Sequence, residues 1–206
     1  GDGYSDLAIG APNTFNGYFE QGALVIVFGT SSGLDIGGST HGTRLVLASD
    51  LGVGHDYANL GTHLEAFDMD ADGIDDLLAG APGADLTVSP YPTFSEVGEI
   101  FILWGDTTSS TYGPLYTPFA AGVGLQPSWI GESSLYALEH QRFGERFIVE
   151  AGPSGNPRVT SVIDDWPDFS CQGRGTVTAE LSPSMDWSSV GADCSEICSP
   201  YSSAGD

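Results

Sequence analysis

Lysine is absent from this sequence of 206 residues, and its basic side chains are five arginines set against 28 aspartates and glutamates. The formal net charge of −23 therefore lies on a surface that repels polyanions. We expect no nucleic-acid partner and no attachment to anionic membrane surfaces. The chain also has no run of 18 apolar residues, so no membrane span is predicted in it.

Cysteine is scarce, and the three cysteines all fall in the last quarter of the chain, at Cys171, Cys194 and Cys198. Their clustering on an acidic chain without lysine favours an oxidising compartment and one disulfide, with free thiols as the alternative. No histidine lies near them at a zinc-ligand spacing, so they are poor evidence for zinc. We treat residues 183–206 as a separate cysteine-containing segment.

Glycine and proline are abundant, with 29 and 12 residues spread along the whole chain. Between them lie short apolar runs rich in valine, isoleucine, leucine and phenylalanine, and no helical periodicity persists beyond about two turns. Short runs of this kind, bounded by glycine and proline, are typical of strands. The sequence predicts an all-β fold.

Two segments of the sequence repeat each other. Residues 2–12 match residues 72–82 at an offset of 70, and each copy ends in Gly-Ala-Pro. A glycine-led apolar run follows in each copy, at residues 22–29 and 98–105, with an offset of 76. The continuous apolar stretches that precede Gly-Ala-Pro predict strands buried on both faces. Proline then ends each strand, because it cannot donate to a ladder.

A third, degenerate unit is predicted from about residue 129 to 182. Residues 143–150 resemble residues 60–67, which precede the second acidic loop, at an offset of 83. The loop at residues 151–158 has no acidic residue, so we expect no metal there. The runs at residues 159–163 and 175–181 are the predicted strands of this unit.

The order of acidic loop, Asp-Leu-x-x-Gly-Ala-Pro, glycine-led strand and Phe-Gly resembles the FG-GAP repeat, the blade of the integrin α-subunit β-propeller. The repeats cover about residues 1–35, 60–110 and 129–182 of a single domain, 1–206. The resemblance implies β-propeller blades of about four antiparallel strands each. Because three blades cannot close a ring, we expect a partial ring, with the adjacent blades missing from a fragment.

The best-defined motif is the acidic loop at residues 68–76. Acids alternate at loop positions one, three and five, and Gly73 supplies the turn. The predicted calcium ligands are Asp68, Asp70, Asp72, the Ile74 carbonyl and Asp76. Asp75 lies between ligands and is expected to face solvent. The alternatives are a solvated acidic turn, which does not explain the alternation, and magnesium or manganese; magnesium demands tighter octahedral geometry.

The loop is not an EF-hand, because position twelve is Ala79 rather than a bidentate glutamate. The first copy of the loop is cut short at the start of the chain. There Asp2, the Tyr4 carbonyl and Asp6 would fill positions five, seven and nine. We expect this partial site to bind metal poorly.

Catalytic motifs are lacking: the sequence has no G-x-S-x-G elbow, no P-loop and no paired histidines, and we expect His63 to serve packing. Residues 164–165 are a weak carboxylate pair. The arginines between residues 142 and 174 are expected to pair with nearby acids, and the aromatic loop at residues 90–94 is a candidate for partner contact.

The predicted function is a non-enzymatic, calcium-binding propeller module, extracellular or on the cell surface, for adhesion or for recognition of a protein or glycan ligand. The alternatives are an accessory propeller domain of a secreted hydrolase, of a phospholipase or polysaccharide-degrading type, and a structural repeat without a specific ligand. The fold alone does not decide among them.

Overall fold

The computed structural model describes residues 3–36, 42–87, 93–105, 142–163, 175–181 and 187–193. These residues form β-strands and one 3₁₀ turn at Ala48–Leu51, and they contain no α-helix. The all-β prediction is therefore confirmed. The strands are β1 (Leu7–Ala11), β2 (Ala23–Val27), β3 (Gly29–Thr30), β4 (Gly33–Leu34), β5 (Thr43–Leu47), β6 (Leu64–Phe67), β7 (Asp76–Ala81), β8 (Leu86–Thr87), β9 (Thr93–Phe94), β10 (Glu99–Leu103), β11 (Phe147–Ala151), β12 (Pro157–Ile163), β13 (Gly175–Leu181) and β14 (Trp187–Asp193).

Three antiparallel sheets carry the architecture. The first has the order β1-β2-β5, the second β6-β7-β10 and the third β11-β12-β13-β14, while β3-β4 and β8-β9 are small hairpins. The first sheet takes its third strand, β5, from residues beyond the predicted repeat 1–35. The third unit, although its loop is degenerate, forms the fullest sheet with four strands.

The register of pairing repeats from sheet to sheet. Ile9 pairs with Val25 in the first sheet, and the residues at the repeat offsets, Ala79 and Phe101, pair in the second. Ser161 and Val177 hold the same place in the third sheet. Strands β1, β7 and β12 therefore hold equivalent register positions, and so do β2, β10 and β13, although β1 lies at the edge of its sheet.

The sheets stack face to face in chain order. One core lies between the first and second sheets, and includes Leu24, Ile26, Val46, Ala79, Ala81 and Leu103. Another lies between the second and third sheets, and includes Leu78, Ile100, Ile102, Phe147, Val159 and Leu181. Burying one such leucine or isoleucine stabilises the fold by about 1.5–3 kcal/mol. Strand β7 supplies side chains to both cores, as predicted for a strand buried on both faces.

For β1 the same prediction is wrong. Leu7 and Ile9 are 42% and 45% exposed, because no described sheet packs on that face of the first sheet. The other face of β1 lies toward the second sheet. A continuous apolar run therefore occurs both in a strand with one face packed on another sheet, as in β1, and in a strand with both faces packed, as in β7.

Backbone contacts between neighbouring sheets explain why glycines recur at the same positions of the repeat. A Cβ on Gly10 would lie 2.0 Å from the Gly61 carbonyl oxygen, and a Cβ on Gly80 would lie 1.9 Å from that of Gly144. Only glycine allows two chains to approach so closely. The glycine of Gly-Ala-Pro therefore receives the Leu-Gly or Phe-Gly segment of the next unit.

Several expectations concern residues outside the described ranges. These are Asp2, the three cysteines, residues 90–92 of the aromatic loop, the acidic pair 164–165 and the whole of residues 106–141. Phe94, at the end of the aromatic loop, is only 1% exposed, so it is a core residue and not a contact residue. The predicted pairing of arginines is confirmed for Arg142, which pairs with Glu145, and for Arg158.

Candidate metal centre

The acidic loop connects the paired strands β6 and β7, in which Phe67 lies opposite Asp76. Ala71 and Gly73 both have left-handed backbone conformations, with φ values of 62° and 88°. These two residues turn the chain so sharply that side chains before and after them face a common centre. Gly3 has nearly the same φ, 90°, at the equivalent place before β1.

Three carboxylates of the loop converge. One oxygen from each of Asp68, Asp70 and Asp76 lies within 4.8 Å of the other two. A calcium ion holds its oxygens at about 2.3–2.6 Å, so two of its ligands lie at most about 5 Å apart. The triad of hard oxygen donors therefore fits a divalent cation, and it is the one such cluster among the described residues.

The Asp72 carboxylate, which is also a predicted ligand, is not part of this triad. The Asp72 carboxylate accepts a hydrogen bond from the Ile74 N–H at 2.8 Å, which turns it back onto its own loop. The Asp72 N–H donates to oxygens of Asp68 and Asp70, each at 3.1 Å. Asp75, expected to face solvent, is exposed.

Asp76 differs from the other acids of the loop because it is buried, with 2% of its surface exposed. Its two oxygens accept backbone hydrogen bonds from Met69, at 2.8 Å, and from Gly105, at 2.7 Å. Burial is the main cause that raises the pKa of Asp76, the charges of Asp70 and Asp72 add to the shift, and the two hydrogen bonds oppose it, which leaves this pKa at about 6. A cation at this centre would take the place of the proton that such a carboxyl otherwise attracts.

The hydrogen bond between Asp76 and Gly105 is a feature that sequence reasoning missed. In the first sheet Asp6 accepts the Gly29 N–H at the same distance, 2.7 Å. Gly29 and Gly105 both follow the glycine-led strand, so this aspartate ties the loop to the end of that strand in both units. The repeat contains the signal, because aspartate and glycine recur together at offsets of 70 and 76.

The other two units lack a comparable cluster among the described residues. In the first unit Asp2 lies outside those residues, and Tyr4 and Asp6 are both exposed. In the third unit Arg158 occupies the register position of Asp76, opposite Glu150, and its guanidinium contacts Glu180 at 3.3 Å. The third unit therefore has an arginine, paired with a glutamate, where the second unit has a buried carboxylate.

His63, expected to serve packing, lies with its ring edge against Phe147, with the ring centroids 4.7 Å apart. It also lies 3.4 Å from a Glu65 oxygen. His63 thus contributes to the contact between the second and third sheets.

No protein-family model matches the chain, and no curated protein matches it. Within the described part of the chain, no helix is long and apolar enough to cross a membrane.

Proposed function

We propose that the loop at residues 68–76 binds one calcium ion, and that the ion has a structural role. The observation that carries this proposal is the convergence of Asp68, Asp70 and Asp76 to within 4.8 Å. Among the described residues, no arginine or histidine forms an ion pair with these three carboxylates. Like charges held this close favour the uptake of a cation.

Calcium suits the loop better than magnesium. Calcium accepts six to eight oxygens in flexible geometry, whereas magnesium demands near-ideal octahedral geometry and retains several waters. The loop converges three carboxylates, and the same loop carries the Asp72 carboxylate and the Ile74 carbonyl as further hard oxygens of the kind that calcium binds. Rotation of the Asp72 carboxylate away from the Ile74 N–H would add it to the set.

The role of the ion follows from the two contacts of Asp76. Through Met69 and Gly105, this carboxylate already joins the loop to the end of β10. A cation shared with Asp68 and Asp70 would neutralise the repulsion at this junction and fix the exposed part of the loop to the buried part. We assign the ion this structural role because the carboxylate nearest the core, Asp76, is bound to backbone N–H groups on both of its oxygens.

We propose further that the chain is a non-enzymatic, extracellular module of stacked FG-GAP-like blades in a partial propeller, acting in adhesion or in recognition of a protein or glycan. Three observations support this: the repeated register, the stacking of sheets in chain order, and the Asp–Gly hydrogen bond common to two units. Acidic surfaces and exposed calcium loops suit media in which calcium is abundant, where modules bind it with Kd values of about 10⁻⁴–10⁻³ M.

Isothermal titration calorimetry tests the metal site. We expect one calcium ion per chain and weaker binding of magnesium under the same conditions. Asp70→Asn should reduce calcium affinity at least about tenfold, since it removes one of three convergent charges. The matched control is Asp75→Asn, which removes the same charge from an exposed residue outside the triad and should bind as wild type does.

The proposal fails if calcium produces no heat and no shift in melting temperature, or if Asp70→Asn and Asp75→Asn have equal affinities. A preference for magnesium would overturn the assignment of calcium alone. The recognition role is tested separately, by glycan arrays and protein pull-downs with calcium and with EDTA. The absence of any calcium-dependent ligand would favour a structural repeat without a partner.

A further inference from the structure

Four exposed aromatic side chains lie on two adjoining loops at one end of the first two sheets. Phe15, Tyr18 and Phe19 belong to the connection between β1 and β2, and Tyr57 belongs to the connection between β5 and β6. Their exposed fractions are 64%, 42%, 63% and 53% respectively. We call these four residues the aromatic surface. Exposed aromatic side chains that lie together are typical of sites that contact a partner.

The two loops are fixed to each other by hydrogen bonds. The Phe19 N–H donates to the Asp56 carboxylate at 2.7 Å, and the Tyr57 N–H donates to the Phe19 carbonyl at 2.6 Å. The rings of Phe15 and Phe19 lie 5.5 Å apart, tilted by 59°. The aromatic surface is therefore held in place before any partner arrives, which reduces the entropy lost on binding.

Tyr57 is held in an unusual conformation, with φ at 63°. A bulky side chain rarely adopts positive φ, because the conformation is sterically strained. The Tyr57 carbonyl is packed against Gly83, where a Cβ would lie 1.8 Å from it. The fold thus maintains a strained tyrosine on the surface.

The repeat itself does not require these exposed rings. The equivalent loop of the second sheet connects β7 to β10, and its phenylalanine, Phe94, is 1% exposed. An aromatic side chain of this loop can therefore be buried within the unit. Phe15 and Phe19, in contrast, are turned outward in the first unit.

The charge around the aromatic surface indicates the kind of partner. Glu20, Asp50 and Asp56 are exposed on the same two loops, which contain no arginine or lysine. The whole chain adds a net charge of −23. Aromatic faces bordered by carboxylates attract the guanidinium and ammonium groups of arginine and lysine, through cation–π and ionic contacts together.

We propose that the aromatic surface binds a segment of a partner protein that carries exposed arginine or lysine side chains. This inference rests on the recognition role proposed above and adds a location and a ligand chemistry to it. The arginine or lysine heads lie over the rings of Phe15 and Phe19, and Glu20 contributes the facing charge. Electrostatic attraction by the whole chain accelerates the encounter, and the aromatic residues hold the complex.

Titration with synthetic peptides tests the inference, using a ten-residue glycine–serine peptide with three arginines, the same peptide with three glutamates, and one with neither. At about 150 mM salt, where the Debye length is about 8 Å, we expect binding of the arginine peptide only. Phe15→Ala with Phe19→Ala should reduce its affinity about tenfold. Glu20→Gln should reduce it less.

The matched control is Ile36→Ala, which removes an apolar side chain that is 78% exposed elsewhere on the first unit. All these variants except Glu20→Gln keep the net charge. A loss of affinity for the arginine peptide that occurs only in the phenylalanine variant would therefore show that the peptide contacts the rings and is not merely attracted by the charge of the chain. Circular dichroism and calcium titration of each variant report whether fold and metal site remain intact.

Equal binding of the arginine peptide to wild type and to the phenylalanine variant would overturn the inference, because net charge alone would then explain binding. The inference would also be overturned if the wild type bound a neutral oligosaccharide but not the arginine peptide, and if the phenylalanine variant lost that oligosaccharide binding. Sedimentation that shows a dimer abolished by the same variant would assign the surface to a second copy instead. Retained calcium binding in these cases would leave the proposed metal site standing.

Discussion

Replacing Asp76 with asparagine separates the two tasks of this carboxylate, which accepts two backbone hydrogen bonds and contributes to the candidate metal centre. Asparagine has almost the same shape but only one acceptor oxygen. Either the Met69 N–H or the Gly105 N–H, at 2.8 and 2.7 Å from Asp76, then faces an amide NH₂ instead of an oxygen. The variant therefore loses one buried hydrogen bond in addition to a charge.

The size of the effect depends on calcium. A buried donor left without a partner costs about 1–3 kcal/mol. Without metal, part of this loss is offset, because the neutral amide no longer suffers burial of charge or repulsion from Asp70 and Asp72; we expect a net loss of about 1–2 kcal/mol. Calcium at a hundred times its Kd stabilises the wild type by about 2.7 kcal/mol. The difference between the proteins should then grow to about 4 kcal/mol.

Urea unfolding followed by circular dichroism measures both values, in EDTA and in saturating calcium. Asp75→Asn serves as the control, since it removes the same charge from an exposed side chain. A stability difference that is equal in EDTA and in calcium would mean that Asp76 does not bind the ion. An Asp76→Asn variant as stable as the wild type in EDTA would refute the structural role of the two hydrogen bonds.

Three further predictions concern pH, glycine contacts and the core. Because burial raises the pKa of Asp76 to about 6, above the ordinary aspartate value of about 4, the metal-free fold should gain stability from this group as pH falls from 7 to 4. With calcium bound, stability should instead fall as pH falls, since protons then displace the ion. The measurement is the free energy of unfolding against pH for the wild type and for Asp76→Asn, with and without calcium. If the two proteins show the same pH dependence in both conditions, the reasoning is wrong. Gly80→Ala should destabilise the fold by about 3 kcal/mol or more, because its Cβ would lie 1.9 Å from a carbonyl oxygen of the third unit. The control is Gly54→Ala, which has open space around it and should be neutral or slightly stabilising in the same urea assay. Leu78→Ala should lower the free energy of unfolding by about 2–5 kcal/mol, because it leaves a cavity in the core. Leu45→Ala should lower it much less, because Leu45 is 56% exposed. Equal urea midpoints for the two variants would contradict the stacking of the sheets.

The sequence predicts strands well where an apolar run is short and clearly bounded. Strands β2, β7 and β10 coincide with such runs, and the two repeat offsets yield the pairing of β7 with β10 from that of β1 with β2. Strand β5, with the sequence Thr-Arg-Leu-Val-Leu, was not predicted. Its five residues carry only a weak alternation, and its pairing with β2 depends on a chain reversal that no local motif specifies.

For the metal centre, alternation of acids indicates which side chains can converge, and Asp68, Asp70 and Asp76 do so. It cannot reveal how backbone donors compete for the same oxygens. The Gly105 N–H reaches Asp76 from 29 residues along the chain, and the Ile74 N–H holds the Asp72 carboxylate. Both contacts depend on how the backbone folds. The sequence alone therefore does not show that Asp76 is held by buried hydrogen bonds while the Asp72 carboxylate faces its own loop.

The outer faces of the stack differ in a way that the repeat does not predict. If the units were equivalent, each sheet would offer two apolar faces, as the second sheet does. The outer face of the first sheet fits this expectation, since it carries Leu7, Ile9 and Leu45. In the third sheet, however, the register positions of Leu78 and Ile102 are taken by Thr160 and Thr178, whose hydroxyls lie 3.0 Å apart.

Threonine keeps the β-branched shape that favours strands but replaces a methyl group with a hydroxyl. The neighbouring register positions carry Arg158 and Glu180, which pair across the same face. The described side chains of this face are therefore largely polar, and the buried Glu180 has its charge balanced by Arg158. Strand propensity alone indicates a strand for both the apolar and the threonine-containing runs. The alternation of residues along β12 and β13 adds that one face joins the core while the other carries polar side chains.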